Sequence, residues 1–382
     1  MFFKDIAGQE VVKKKLINSI ENQRISHAWL FFGPEGNGKL ALAIAYAKYL
    51  SCTDKLPADS CGKCPSCKKY EKLIHPDLHF VFPVFKTKKI QKPISDDFIK
   101  EWREFLIESP YAGLNKWLQK LGVENQQAGI FTQESAEIIR KLNLKSFESE
   151  YKIMIVWIPE RMNITASNKL LKMIEEPPPK TIFLLVSEDT EKIINTILSR
   201  TQLVKVPKIS SESMFDIIKE KYNFADEKIQ DIVSISNGNF SAAQDLINQI
   251  ENENEPEHYN QFTELMRNAY GLRINELTEW TEKMAVSGRE YQKQFLLYSL
   301  RMLRENFVLN KTPENKGSLI FLTQKERSFS EKFNTFINQN NIYGLTNEFN
   351  EAYNHIERNG YSKLIFMDLA LKTARLLKVK PQ

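Results

Sequence analysis

The chain has 382 residues, of which 42% are hydrophobic and 26% charged, and its formal net charge is +5. That length calls for two or three domains of ordinary size, and no apolar run approaches the ~20 residues that a membrane span requires. The mild positive charge permits a nucleic-acid partner without demanding one; the N-terminus meets a charge at Lys4 before any apolar stretch of signal-peptide length, so a cytoplasmic protein is expected.

The first predicted helix is Glu10 to Glu21, where Val11, Val12, Leu16, Ile17 and Ile20 recur at helical spacing. A short buried strand follows at Ala28-Trp29-Leu30-Phe31-Phe32, and Leu40 to Leu50 is an alanine-rich helix pattern. Between them lies Gly33-Pro34-Glu35-Gly36-Asn37-Gly38-Lys39. This matches a glycine-rich phosphate loop, in which backbone N–H groups close around phosphate oxygens and the lysine reaches the terminal phosphates. The strand–loop–helix context favours a loop of P-loop type over a chance Gly-rich turn.

An active loop continues with a Ser or Thr that holds magnesium, but here the next residue is Leu40. The second metal-holding position is an acidic residue at the end of an apolar strand. Ile153 to Val156 instead runs into Trp157-Ile158-Pro159, with no carboxylate before Glu160. Without magnesium the charge neutralisation that phosphoryl transfer depends on is missing, so hydrolysis here should be negligible. Two roles for Lys39 stay open: a passive grip on the phosphates of ATP or ADP through Gly33, Gly36, Gly38 and Lys39, or a solvated loop residue.

All four cysteines fall between Cys52 and Cys67, in the spacing C-x8-C-x2-C-x2-C. In a reducing compartment such a cluster is more readily a metal centre than a disulfide framework. Cys52, Cys61, Cys64 and Cys67 form a complete tetrahedral set for zinc, which marks the site as structural. His75 and His79 lie nearby and are not needed as ligands.

Residues 82–130 are less regular and are expected to be an insertion. Lys86, Lys88, Lys89 and Lys92 precede a helix-like stretch with Phe98, Trp102 and Phe105. The lysines and Trp102 either touch DNA or form a solvated face, and the second is favoured. Ile153–Ile158 and Thr181–Val186 are continuous apolar runs, as buried parallel strands require. After Pro207 the strands stop. Short helices are expected at Met214–Tyr222 and Ile229–Ser236, closed by Asn237-Gly238-Asn239; the acidic stretch Glu251–Pro256 is a plausible linker, and segments such as Phe295–Phe307 and Leu364–Leu377 are helix-periodic.

Together these features resemble the bacterial clamp-loader AAA+ family, and within it the delta-prime type of DNA polymerase III subunit, related to gamma/tau, over roughly residues 1–250. Gly8-Gln9 resembles the adenine-side box, and His27-Ala28-Trp29-Leu30-Phe31 the stretch leading into the phosphate loop. Arg161-Met162-Asn163, Asn168-Lys169-Leu170-Leu171-Lys172 and Glu175-Glu176-Pro177-Pro178 are similar to the run after the Walker B strand, and Ser187 falls near the sensor-1 position. Trp157 and Ile158 then stand where an active member has Asp-Glu. Leu198-Ser199-Arg200-Thr201 resembles the Ser-Arg-Cys motif, whose arginine reaches the ATP held by a neighbouring subunit. Arg200 is the implied finger, with Thr201 in place of the cysteine; the competing reading is a surface arginine in an ordinary ion pair. No sensor-2 arginine accompanies Gly238-Asn239-Phe240-Ser241.

The resemblance implies an α/β P-loop AAA+ domain with a parallel sheet over 1–209, carrying the zinc module (52–67) and the insertion (about 82–130). A small helical lid over 210–255 and an all-α collar over 256–382 would follow. It also implies a non-hydrolysing subunit of the DNA polymerase III holoenzyme, a DNA-directed DNA polymerase complex. Such a subunit helps load the sliding clamp onto primed DNA beside gamma/tau and delta subunits. The alternatives are an active ATPase of gamma/tau type using a substitute metal ligand such as Glu160, and a zinc-containing DNA-binding scaffold.

Overall fold

The apolar runs of the N-terminal half become the middle of a parallel sheet. A computed structural model describes residues 1–88, 90–123, 128–251, 257–311 and 322–380. Lys89 and residues 252–256 of the expected linker lie outside them. The strands are β1 (Ala28–Phe32), β2 (Leu78–Val81), β3 (Lys152–Trp157), β4 (Thr181–Ser187) and β5 (Gln202–Lys205). They are ordered β2-β3-β4-β1-β5, and every pairing is parallel. Every residue of β3 and β4 is buried, which explains their lack of polar alternation. β3 ends one residue earlier than the sequence suggests, because Ile158 turns into the left-handed region at φ 54°.

The chain divides into two compact units, residues 1–244 and 245–382. The first unit contains helices α1 (Glu10–Glu21), α2 (Lys39–Ser51), α3 (Pro65–Glu71), α4 (Ile99–Glu108), α5 (Leu114–Lys120), α6 (Thr132–Asn143), α7 (Ile164–Glu175), α8 (Asn195–Leu198), α9 (Ser211–Lys221) and α10 (Asp226–Ser236), and the start of α11 (Phe240–Glu251). Helix α2 contacts β1, β3 and β4 and is buried along its whole length, so its alanine-rich, all-round apolar sequence is that of a core helix. A second apolar layer joins Leu30, Met154, Val156, Phe183 and Leu185 of the sheet to Ile138 and Leu142 of α6 and Leu170 and Ile174 of α7. Helix α10 ends at Asn237, whose φ of 47° is the left-handed cap that the Asn-Gly-Asn signal leads one to expect.

The stretch after β2 leaves the sheet and comes back to its own root. Val84 and Gly129 exchange backbone hydrogen bonds of 3.0 and 2.9 Å, and the Ile130 N–H then donates to the Arg161 carbonyl at 3.0 Å. Between these ties lie α4 and α5. Trp102 does not belong to a solvated or DNA-facing surface: it is fully buried, stacked on Phe82 at 4.2 Å and packed against Trp117 at 5.1 Å and Trp157 at 4.9 Å. The apolar face of α4 outweighs the lysines before it. Lys86, Lys88 and Lys92 are exposed, as a solvated face requires.

The second unit continues with α12 (Glu257–Tyr270), α13 (Ile274–Val286), α14 (Arg289–Lys311), α15 (Gln324–Phe333), α16 (Ile342–Glu357) and α17 (Ser362–Leu376). Its described residues contain no strand. Phe262, Trp280, Phe295, Phe349 and Phe366 form the centre of its core, with the Trp280 ring 5.7 Å from Phe295 and 5.8 Å from Phe366. Among the described residues no helix is long and apolar enough to cross a membrane.

Candidate functional site

The phosphate loop joins β1 to α2, as the motif requires, and the side chains of Asn37 and Lys39 in it are already engaged. The Asn37 side chain donates to the Val206 carbonyl at 2.6 Å and accepts the Lys39 N–H at 3.2 Å. Gln9 fixes the loop from the other side, donating to the carbonyls of Asn37 at 3.2 Å and Pro207 at 2.8 Å. Lys39 opens the first turn of α2 and is 5% exposed, with its ammonium donating to the Pro34 carbonyl at 2.8 Å. The solvated-loop role for Lys39 is therefore overturned. Burial lowers its pKa, while the charges of Glu188, Glu35 and Glu160 oppose that shift.

The two metal-holding positions are apolar and packed. Leu40 is 4% exposed and Trp157 3%, the latter against Trp102 and Phe105 of α4. Glu160 is held by its Oε1, which accepts the backbone N–H groups of Glu188 at 2.8 Å and Asp189 at 3.2 Å, while its buried Oε2 has no partner among the described residues. Burial raises the pKa of both Glu160 and Glu188, which disfavours two free carboxylates there. Beside the loop, Gly38, Lys39, Leu40, Tyr111, Trp157 and Glu188 line a narrow space that is partly open to solvent, with about 10 Å³ accessible to water centres. That is room for about one water molecule.

The cysteines converge at the end of α2 and the start of α3. Their four sulfurs all lie within 4.8 Å of one another, and Cys61 and Cys67 are 4.0 Å apart. A metal–sulfur bond of ~2.3 Å in a tetrahedron separates the sulfurs by about 3.8 Å, so a small closure suits a metal ion. Backbone N–H groups also point at the sulfurs: Cys61 to Cys52 at 3.3 Å, Lys63 and Cys64 to Cys61 at 3.4 and 3.3 Å, and Cys67 to Cys64 at 3.4 Å. Such donors stabilise thiolates. Burial opposes ionisation at Cys64, yet the N–H groups of Cys67 and Thr53 bring it down to about 6; at Cys52 and Cys67 burial dominates and pushes the thiols up. Four closely placed donors of this kind can hold a metal ion. His75 takes no part, being buried against Tyr70 at 4.8 Å with Nδ1 accepting the Asp77 N–H at 3.2 Å, and His79 is half-buried in β2.

Arg200 is exposed just after α8. Its Nε lies 2.8 Å from Glu175 Oε1 at the end of α7, and its Nη1 donates to the Thr196 carbonyl at 3.2 Å and to Ser199 Oγ at 3.1 Å. In the isolated chain it therefore has the ion pair of the competing reading. Thr201 turns its hydroxyl back to the Ile197 carbonyl at 3.1 Å, so the residue in the cysteine position closes α8 locally.

These sites sit on one stretch of chain, and the family described as "DNA polymerase III, delta subunit" matches residues 8–210, just over half of the sequence. The chain belongs to the DNA polymerase III delta-subunit family. The match encloses the phosphate loop, the four cysteines and Arg200, and it ends before α9. DNA polymerase III subunit delta' of Bacillus subtilis is 31% identical over 214 residues, 56% of this chain and 52% of that protein. DNA polymerase III subunit gamma of Buchnera aphidicola is 28% identical over 218 residues, 57% of this chain and 48% of that protein. The chain thus spans about half the length of the curated relatives it matches. Among solved structures, a DNA polymerase III gamma subunit-related protein of Thermotoga maritima aligns over 96% of this family member and 99% of its own chain, at 17% identity and a TM-score of 0.42.

One residue beside the phosphate loop was invisible to motif reasoning. Tyr111 lies in the irregular stretch between α4 and α5, where no periodicity or spacing signals a role.

Proposed function

We propose that this family member is a delta-prime-type subunit of the DNA polymerase III clamp loader, which assembles with gamma/tau and delta subunits in the cytoplasm to load the sliding clamp onto primed DNA. In this reading it hydrolyses no ATP itself and presents Arg200 to nucleotide held by a neighbour. The observation that carries the reading is the pairing of a phosphate loop whose metal-holding positions are Leu40 and Trp157, both buried, with an exposed arginine after α8. Leu40 and Trp157 offer no oxygen to magnesium, so the γ-phosphate charge could not be neutralised here.

The Arg200–Glu175 pair is partly exposed on both sides, with 42% and 36% of the side chains accessible. Pairs of this kind contribute about 0–1 kcal/mol, so exchanging the carboxylate for a neighbour's phosphate costs little. Zinc at Cys52, Cys61, Cys64 and Cys67 would be structural, tying α2 to α3 with no open coordination position. The division into an AAA+ domain (1–209), a lid (210–255) and a collar (256–382) belongs to the same proposal.

Reconstitution tests it. The pure chain should show no ATP turnover above background, and mixing it with gamma/tau and delta subunits should give a ring whose clamp loading depends on its presence. Magnesium-dependent turnover by the pure chain that disappears in Lys39→Ala would overturn the reading.

A further inference from the structure

Part of the space at the phosphate loop is taken by the chain itself. Pro110-Tyr111-Ala112, between α4 and α5 in the insertion, lies against the loop and lines what remains of the cavity. Gly38 faces the Tyr111 ring so closely that a Cβ there would sit 2.9 Å from Cε1, and Gly38 itself has φ 89°, which disfavours any side chain. The Tyr111 hydroxyl accepts the Ala7 N–H at 2.9 Å, beside the Gly8-Gln9 pair that resembles an adenine-side box. The ring is 8% exposed and lies 4.8 Å from the ring of Phe240. Tyr111 therefore touches three walls at once: the phosphate loop, the segment before α1, and the start of α11.

The walls are also joined to one another. The Phe240 N–H donates to the Gly36 carbonyl at 2.9 Å, and Asn239 packs so tightly on Gly36 that a Cβ there would lie 1.7 Å from Asn239 Oδ1. Lys116 of α5 donates to the Ser241 carbonyl at 3.3 Å. Gly113 is pressed on Glu35 of the loop, where a Cβ would come within 2.2 Å of Oε1. The insertion is thus joined to both the phosphate loop and the first turn of α11.

We infer that Pro110-Tyr111-Ala112 is a built-in occupant of the nucleotide site, which excludes ATP and ADP and holds the start of α11 on the phosphate loop in a nucleotide's stead. This extends the proposed function from a site that lacks metal ligands to a site that is physically filled. It does not depend on Arg200 or on assembly into a ring. Its test is therefore made on the full chain alone, so that failure here leaves the subunit reading standing and the reverse.

The test follows amide hydrogen exchange and thermal melting with and without millimolar ADP, with and without magnesium. In the unaltered chain the amides of Ala7 and Phe240 should be protected without ligand, and ADP should change neither exchange nor melting temperature. Tyr111→Ala should speed exchange at Phe240 by at least about tenfold, and ADP should restore part of that protection. Tyr111→Phe keeps the ring, so it should still exclude ADP while the Ala7 amide alone exchanges faster; it decides the matter even if Tyr111→Ala does not fold. A melting shift of the unaltered chain with ADP would overturn the inference. So would a folded Tyr111→Ala chain with unchanged protection and no response to ADP, or a Tyr111→Phe chain whose Ala7 amide exchanges no faster.

Discussion

Asp77 and Glu134 are carboxylates buried to the same extent, 2% and 1% exposed, and their surroundings drive them in opposite directions. Burial raises both. Asp77 overcomes it by accepting three backbone N–H groups, from Phe147 at 2.6 Å and from Glu148 and Ser149 at 2.8 Å each, so its pKa ends below the usual range. Glu134 accepts the Ser95 N–H on Oε2, while its buried Oε1 has no partner among the described residues, and its pKa is raised to about 7. The folded state then keeps the Glu134 proton to about pH 7, whereas an unfolded chain releases it near the ordinary value of 4.5. Stability is fullest below 4.5 and falls as pH rises from there through 7, by at most about 3 kcal/mol. Glu134→Gln keeps an acceptor for Ser95 and removes the titration. Thermal melts should place the variant above the unaltered protein at pH 8 and close the gap at pH 4.5; an equal gap at both would show that Glu134 is not protonated in the fold.

At the level of elements, the four clustered cysteines could hold a metal ion, and in the proposed function their stability depends on zinc. The cysteine knuckle joins the last turn of α2, a helix buried at every residue, to α3, so loosening it disturbs the packing under the sheet. The purified protein should contain one zinc per chain. Cys64→Ser should release the metal and lower the melting temperature by about 5 °C or more. Metal-free protein that melts unchanged after this substitution would exclude a structural site. The knuckle was legible because four cysteines at fixed spacing carry their chemistry in the residue type itself. The central strands β1, β3 and β4 were legible for a related reason, since burial on both faces leaves an unbroken apolar run. β2 and β5 were not: each has four residues, β2 includes His79, and three of the four residues of edge strand β5 are exposed, so no periodicity distinguishes them from loop. The filling of the nucleotide site was unreadable for a different reason. Tyr111 acts through a contact with Ala7, 104 residues away in sequence, and only folding brings the two together.

At the scale of the molecule, the helical, strand-free character of the described residues of 257–311 and 322–380 followed from helix-periodic segments such as those that became α14 and α17, whereas the role of this part had no motif to carry it. The family match stops at residue 210, so the phosphate loop, the knuckle and Arg200 carry the functional case. In the proposed function those features describe a subunit that would contribute to hydrolysis only by what it lends a neighbour. The measurement that bears on this most directly is ATP hydrolysis, stimulated by clamp and primed DNA, in a ring reconstituted with gamma/tau and delta subunits and either the unaltered chain or Arg200→Ala. An arginine at a phosphoryl-transfer site accelerates the reaction roughly 10³–10⁵-fold, so the variant ring should assemble normally while the adjacent site contributes almost no turnover and clamp loading slows. Arg200→Lys should rescue little, because an ammonium lacks the planar fork for two phosphate oxygens. A variant ring that hydrolyses ATP and loads clamps at the unaltered rate would contradict the proposal and leave Arg200 as the surface partner of Glu175.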